Sequence, residues 1–235
     1  MDRTMILTIG GFLAVAVVFI LVARWQGRRE AEARREFAAR HGWEMPAEAP
    51  AEVTEALALF APAEVRVSSG LTVVDRPPRP LYLFSFNWRT RGSKSDFTGT
   101  ACLARHDGPR ADTAVSISRR VPLVEKMTSG RLDVGSSDFR AMWIVTGEQP
   151  GVAAELVNDA VQRVFLEHDK GPAWVLEVDF VGPWVFAGSH WAASPEEWDY
   201  LVELTRKLAD ELTRKLAEAV SRGASGGLAP QPVRR

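Results

Sequence analysis

One apolar run near the start constrains this chain more than any other feature. Met5 to Ala23 reads MILTIGGFLAVAVVFILVA and carries no charged residue. As a helix rising about 1.5 Å per residue it would be ~28 Å long, close to the ~30 Å hydrocarbon core of a bilayer. Twelve of its residues are Ile, Leu, Val or Phe, and each of these favours insertion. A cleaved signal peptide fits less well. Asp2 sits beside Arg3, and Leu21 occupies a position where a cut after Ala23 needs a small side chain. The run is therefore read as a transmembrane helix over 5–23 that contacts the lipid bilayer.

The flanks orient it. Arg24, Arg28, Arg29, Arg34 and Arg35 come after the run, whereas Arg3 alone precedes it. The positive-inside rule then places the N-terminus outside and the C-terminal domain in the cytoplasm, at the cell inner (plasma) membrane. Trp25 suits the interface. Residues 24–41 are expected to continue the helix into water, with Glu30, Glu32 and Glu36 interleaved among the arginines until Gly42.

Residues 42–220 have the patterning of a soluble α+β domain. The strongest strand is Leu81 to Arg89, LYLFSFNWR. Alternation puts Tyr82, Phe84, Phe86 and Trp88 on one face and Leu81, Leu83, Ser85 and Asn87 on the other. Shorter strands are expected at 65–67 and 71–74 around Ser68-Ser69-Gly70, then at 98–105, 114–118 and 140–146. A hairpin is expected from Trp174–Phe180 and Trp184–His190 around Gly182-Pro183. Helices are expected at 51–60 and 151–168. A last helix begins at a capping box, Ser194-Pro195-Glu196-Glu197. Its stripe Leu201, Leu204, Leu208, Leu212 and Leu216 recurs at near-helical spacing. The predicted architecture is a mainly antiparallel sheet with helices packed on one face. Residues 221–235, rich in Gly, Ser and Pro with a terminal Arg pair, are expected to be a disordered tail.

The net charge of −1 hides blocks: residues 76–140 carry +6 and residues 141–220 carry −8. Such blocks either form an anion-binding surface or face each other within the fold or across a dimer. Cys102 is the lone cysteine, which excludes an internal disulfide and a Cys-rich zinc site.

No catalytic or metal-ligating motif is present. His41, His106, His168 and His190 are not at ligand spacing, and there is no HExxH, GxSxG or phosphate-loop pattern. No catalytic residue, metal or cofactor is assigned. Glu177 and Asp179 point to one strand face, opposite Leu176, Val178 and Phe180, and are expected to be its solvated side. The aromatic load is unusual, with eight Trp. Tyr82, Phe84, Phe86, Trp88, Trp174 and Trp184 are candidate walls of an apolar ligand pocket, or else ordinary core. The aromatic strand face contains no Arg or Lys, which argues against nucleic-acid binding.

Three short motifs carry a resemblance. They are Phe37-Ala38-Ala39-Arg40-His41-Gly42-Trp43, then Leu132-Asp133 with Ser137-Asp138-Phe139, then Gly171-Pro172-Ala173-Trp174. In these the chain resembles a family of uncharacterised, mostly actinobacterial proteins with a single-pass membrane anchor. The resemblance implies an architecture and no mechanism. The expected function is a non-enzymatic, membrane-tethered interaction or scaffold protein that docks a partner, or a second copy, through the Leu201–Leu216 helix. The alternative is an apolar small-molecule or lipid-binding domain.

Overall fold

The computed structural model describes residues 18, 21, 25, 28–60, 64–76, 78–89, 97–122, 125, 129–169, 176–189 and 194–225. Eight strands form one antiparallel sheet: β1 (Glu64–Asp75), β2 (Leu81–Arg89), β3 (Phe97–Arg105), β4 (Ala111–Arg119), β5 (Arg131–Leu132), β6 (Trp143–Thr146), β7 (Leu176–Gly182) and β8 (Trp184–Ser189). Their spatial order is β1-β2-β3-β8-β7-β4-β6-β5. The β7–β8 hairpin thus lies between the two earlier groups of strands. It pairs with β3 on one side and β4 on the other.

The strand over 81–89 forms as its alternation dictates, and both of its faces are buried. Leu81 and Leu83 join the larger core beneath the helices. Tyr82, Phe84 and Phe86 join a second core on the opposite face. A sheet apolar on both faces needs cover on both. Helix α1, over residues 28–41, together with α3 (Ser137–Met142), α4 (Pro150–Leu156), α5 (Asp159–Glu167) and α6 (Pro195–Ser225), builds the larger core, while α2 (Ala51–Ala58) covers the second. The expectation of helices on a single face is corrected accordingly.

The membrane-spanning part of the predicted architecture is corrected too. Among the described residues no helix is long and apolar enough to cross a membrane. The segment 5–23 lies outside the described residues except for Val18 and Leu21, which are helical. The single-pass description therefore gives way to an α+β fold with a docked N-terminal helix. Instead of projecting into water, α1 buries Arg34, Phe37 and Ala38 against the domain.

Smaller differences have local causes. The two short strands around Gly70 are one bent strand, β1, with register shifts on both sides of Ser69. Gly70 has φ +63, and a Cβ there would lie 2.4 Å from Arg34 Cδ, so only glycine fits both the backbone and the neighbour. The helix expected over 151–168 is broken in two, because Asn158 caps α5 by accepting from the Ala160 and Val161 amides. Residues 137–142, ahead of β6, are a helical turn capped by Ser136. The capping box at α6 forms in both directions between Ser194 and Glu197. That helix runs on to Ser225, into the expected tail.

Candidate functional site

The leucine stripe of α6 is core. Leu201, Leu204, Leu208 and Leu212 are fully buried against the sheet, and only Leu216 emerges, at 41% exposure. A helix lying across a sheet turns about a third of its circumference inward, and here that third is the leucine third. The docking face expected over Leu201–Leu216 is therefore corrected: it is already covered by the protein's own sheet.

The aromatic candidates are placed similarly. Tyr82, Phe84, Phe86 and Trp184 are buried in the second core with Val53, Ala56 and Leu57 of α2. Phe186 packs edge-on to Phe86 at 5.4 Å and against Phe60 at 5.1 Å. Trp88 is half-buried at the margin of this cluster, and Trp174 lies outside the described residues. The Tyr82 hydroxyl donates to Glu52. Burial first, and that carboxylate second, push its pKa well above the usual phenol range.

Farther along the same face the sheet turns polar. Ser116 pairs with Asp179 and Ser118 with Glu177 across β4 and β7. Both acids are half-buried, not solvated as their alternation implied. Burial, reinforced by Glu177, raises the Asp179 pKa far above the carboxylate range, with the Ser116 hydrogen bond pulling the other way. The pleat of β7 alone puts these two acids on one face, beside Ser116 and Ser118 of β4. Their spacing was legible in the sequence, but their partial burial was not.

The sequence reading also missed Arg34, the most deeply buried charge described, at 1% exposure. Its guanidinium donates to Ser85 Oγ at 3.0 Å and Thr100 Oγ1 at 3.4 Å. It lies 3.7 Å from Glu30 and 4.5 Å over the Trp198 ring. Burial lowers its pKa to about 10, partly offset by Glu30, so it remains charged at neutral pH. These contacts fasten α1 to the sheet and to α6.

Among the described ion pairs, Arg119–Asp169 and Arg79–Asp210 join the two charge blocks, the second at the surface. Arg206 pairs with Asp75, and Arg79 also with Asp107. Among the described residues, no group of three His, Cys, Asp or Glu is placed to hold a metal ion.

Two clefts on the described surface carry charged residues. One, of about 570 Å³, lies between the 133–136 loop, α4 and α5, with Asp133, Asp159, Gln162 and Lys215 on its walls. The resemblance motif at Leu132-Asp133 and Ser137–Phe139 borders it and is held structurally. Asp133 pairs with Arg140, Phe139 is buried, and the Ser136 amide donates to Gln162 Oε1 at 2.8 Å. The other cleft, of about 390 Å³, lies at the β1–β2 turn and carries Arg76, Arg79, Arg105 and Arg206.

Among the described residues, the clearest exposed apolar side chains precede α1. Val18, Leu21 and Trp25 are 58%, 59% and 53% exposed. Each of the three is helical, and spacings of three and four residues match one face of a helix. Arg29 lies over the Trp25 ring at 4.0 Å, and Arg28 beside it is exposed.

No family model and no curated protein matches this chain. Among solved structures, the crystal structure of the mycobacterial trehalose monomycolate transport factor A, TtfA, overlaps it with a TM-score of 0.49 at 10% identity. The overlap covers 78% of this chain and 94% of that one. A likeness of that size carries no functional information.

Proposed function

We propose that the protein is a lipid-associated, non-enzymatic binding protein whose N-terminal helix lies against an anionic lipid surface and whose α+β domain is held at the base of that helix. The observation that carries this reading is the exposed stripe Val18, Leu21 and Trp25, succeeded at once by Arg28 and Arg29. Large apolar side chains left in water on one helix face cost about 1.5–3 kcal/mol each relative to burial. A tryptophan capped by arginine fits the boundary between acyl chains and headgroups. The arginines add attraction to anionic lipid of about 1 kcal/mol apiece near the surface. Arg34, Phe37 and Ala38 lock α1, which follows in sequence, to the domain, so a helix running from Trp25 into α1 would hold the domain at a defined height above the surface.

Flotation of the full chain with vesicles tests the proposal. With vesicles containing phosphatidylglycerol, the protein is expected to rise with the lipid. With Leu21→Glu and Trp25→Glu together, it is expected to stay in the soluble fraction. If the unmodified chain remains soluble with anionic vesicles, or if the double variant floats equally well, the reading is wrong.

A further inference from the structure

We propose that the cleft at the β1–β2 turn is a binding site for an organic phosphate. It is independent of the N-terminal stripe and lies where the end of β1, the start of β2, the end of β3 and the middle of α6 meet. Its floor is apolar and closely packed: Leu81, Ala104 and Ala209 are buried there. Its rim is cationic, with four guanidinium groups against the two carboxylates of Asp75 and Asp210. An arginine-rich rim over an apolar floor suits an oxyanion joined to a short organic group, and about 390 Å³ is ample for both.

The donors at the rim are incompletely used. Arg79 lies 3.5 Å from Asp210 and 3.8 Å from Asp107, beyond hydrogen-bonding distance for an N–H donor. Arg206 directs both of its contacts, each 3.0 Å, at one oxygen of Asp75. Arg76 is engaged by Glu44. Arg105 is exposed and has no ion pair among the described residues. Asp75 fixes the plane of Arg206, leaving Arg105 and the loosely held Arg79 for a ligand. Guanidinium groups match phosphate oxygens in pairs, and a phosphate engaging Arg79 at hydrogen-bonding distance would hold it more tightly than Asp107 or Asp210 does. The residues come from the turn and two distant elements, so the site exists only in the folded protein.

Calorimetric titration of the full chain with glycerol phosphate, inorganic phosphate and phosphatidylglycerol vesicles tests this. Glycerol phosphate is expected to bind saturably at one site, more weakly at high salt. Arg79→Ala and Arg105→Ala should each weaken it by about tenfold, the scale of one lost charge-assisted contact. Both side chains are exposed, so folding is not at stake, and Arg131→Ala, far from the cleft, should change nothing. Binding of the soluble phosphates assigns a soluble ligand. Binding of vesicles alone, lost in Arg79→Ala and Arg105→Ala, assigns a lipid headgroup. No binding of any probe, or binding indifferent to both substitutions, overturns the proposal. Leu21→Glu should leave glycerol phosphate binding untouched, which separates this site from the lipid-facing helix.

Discussion

Replacing Arg34 by methionine should barely change stability, whereas replacing it by alanine should cost about 3 kcal/mol. Desolvation sets the scale. Burial lowers the guanidinium pKa from 12.5 to about 10, which at about 1.4 kcal/mol per unit means that keeping the charge inside costs roughly 3 kcal/mol. The hydrogen bonds to Ser85 and Thr100 return about 1 kcal/mol each, and the Trp198 contact returns about 1 more. These nearly cancel, as buried ionic groups commonly do. Methionine keeps the aliphatic stem, removes the charge and leaves Ser85 able to donate to Glu30, which it already does at 3.1 Å. Alanine also empties the channel beside Gly70, and losing such a stem costs about 2–5 kcal/mol. Urea denaturation of the full chain, monitored by tryptophan fluorescence, gives both values. If methionine destabilises as much as alanine, the charge and its hydrogen bonds hold α1 in place and desolvation does not offset them.

Gly70→Ala should destabilise by about 2 kcal/mol or more, from positive φ and from the clash with Arg34; in the Arg34→Ala background the penalty should fall to about 1 kcal/mol, and a denaturation double-mutant cycle showing simple additivity would deny the contact. Asp179 has a folded pKa raised by burial and Glu177, so the stability it contributes is present below the ordinary carboxylate range and is lost as pH rises through the folded value. Asp179→Asn should therefore be more stable than the unmodified chain at pH 8.5 and nearly equal to it at pH 4; urea midpoints at the two pH values that move in parallel would refute this. Cys102 is fully buried in the larger core, its thiol pushed up to about 12 by burial. It should resist a soluble disulfide reagent in the folded chain and react at once in urea, and prompt reaction without denaturant would place it at the surface.

Local patterns were legible where a segment's own residues decide its state. Leu81–Arg89, the hairpin around Gly182-Pro183 and the Ser194 capping box form where their spacing put them. Partnership was less legible. The leucines of α6 show the same period whether they face a partner or the chain's own sheet, and only the sheet's position decides between the two. Arg34 reads as one of several arginines in a polar helix, because nothing local reveals that Ser85, Thr100 and Gly70 converge on it. The Asn158 break was hidden by an apolar stripe that continues through both α4 and α5. Of the candidate sites, Tyr82, Phe84, Phe86 and Trp88 lie on one face as their alternation put them, but α2 could not be foreseen as their cover. The arginine cleft draws on three separated segments, and no spacing rule connects them.

The order of the strands bears on how the chain is made. Since β7 and β8 fill the middle of the sheet, a ribosome that has finished only the first 175 residues has delivered two strand clusters with no seam between them. Until the final hairpin emerges, β3 and β4 each offer a bare edge to any passing strand. Completion therefore hinges on a late, long-range closure of the kind that slows folding and rewards protection of the nascent chain. A stop at residue 175 would leave two sticky fragments in place of a shortened domain.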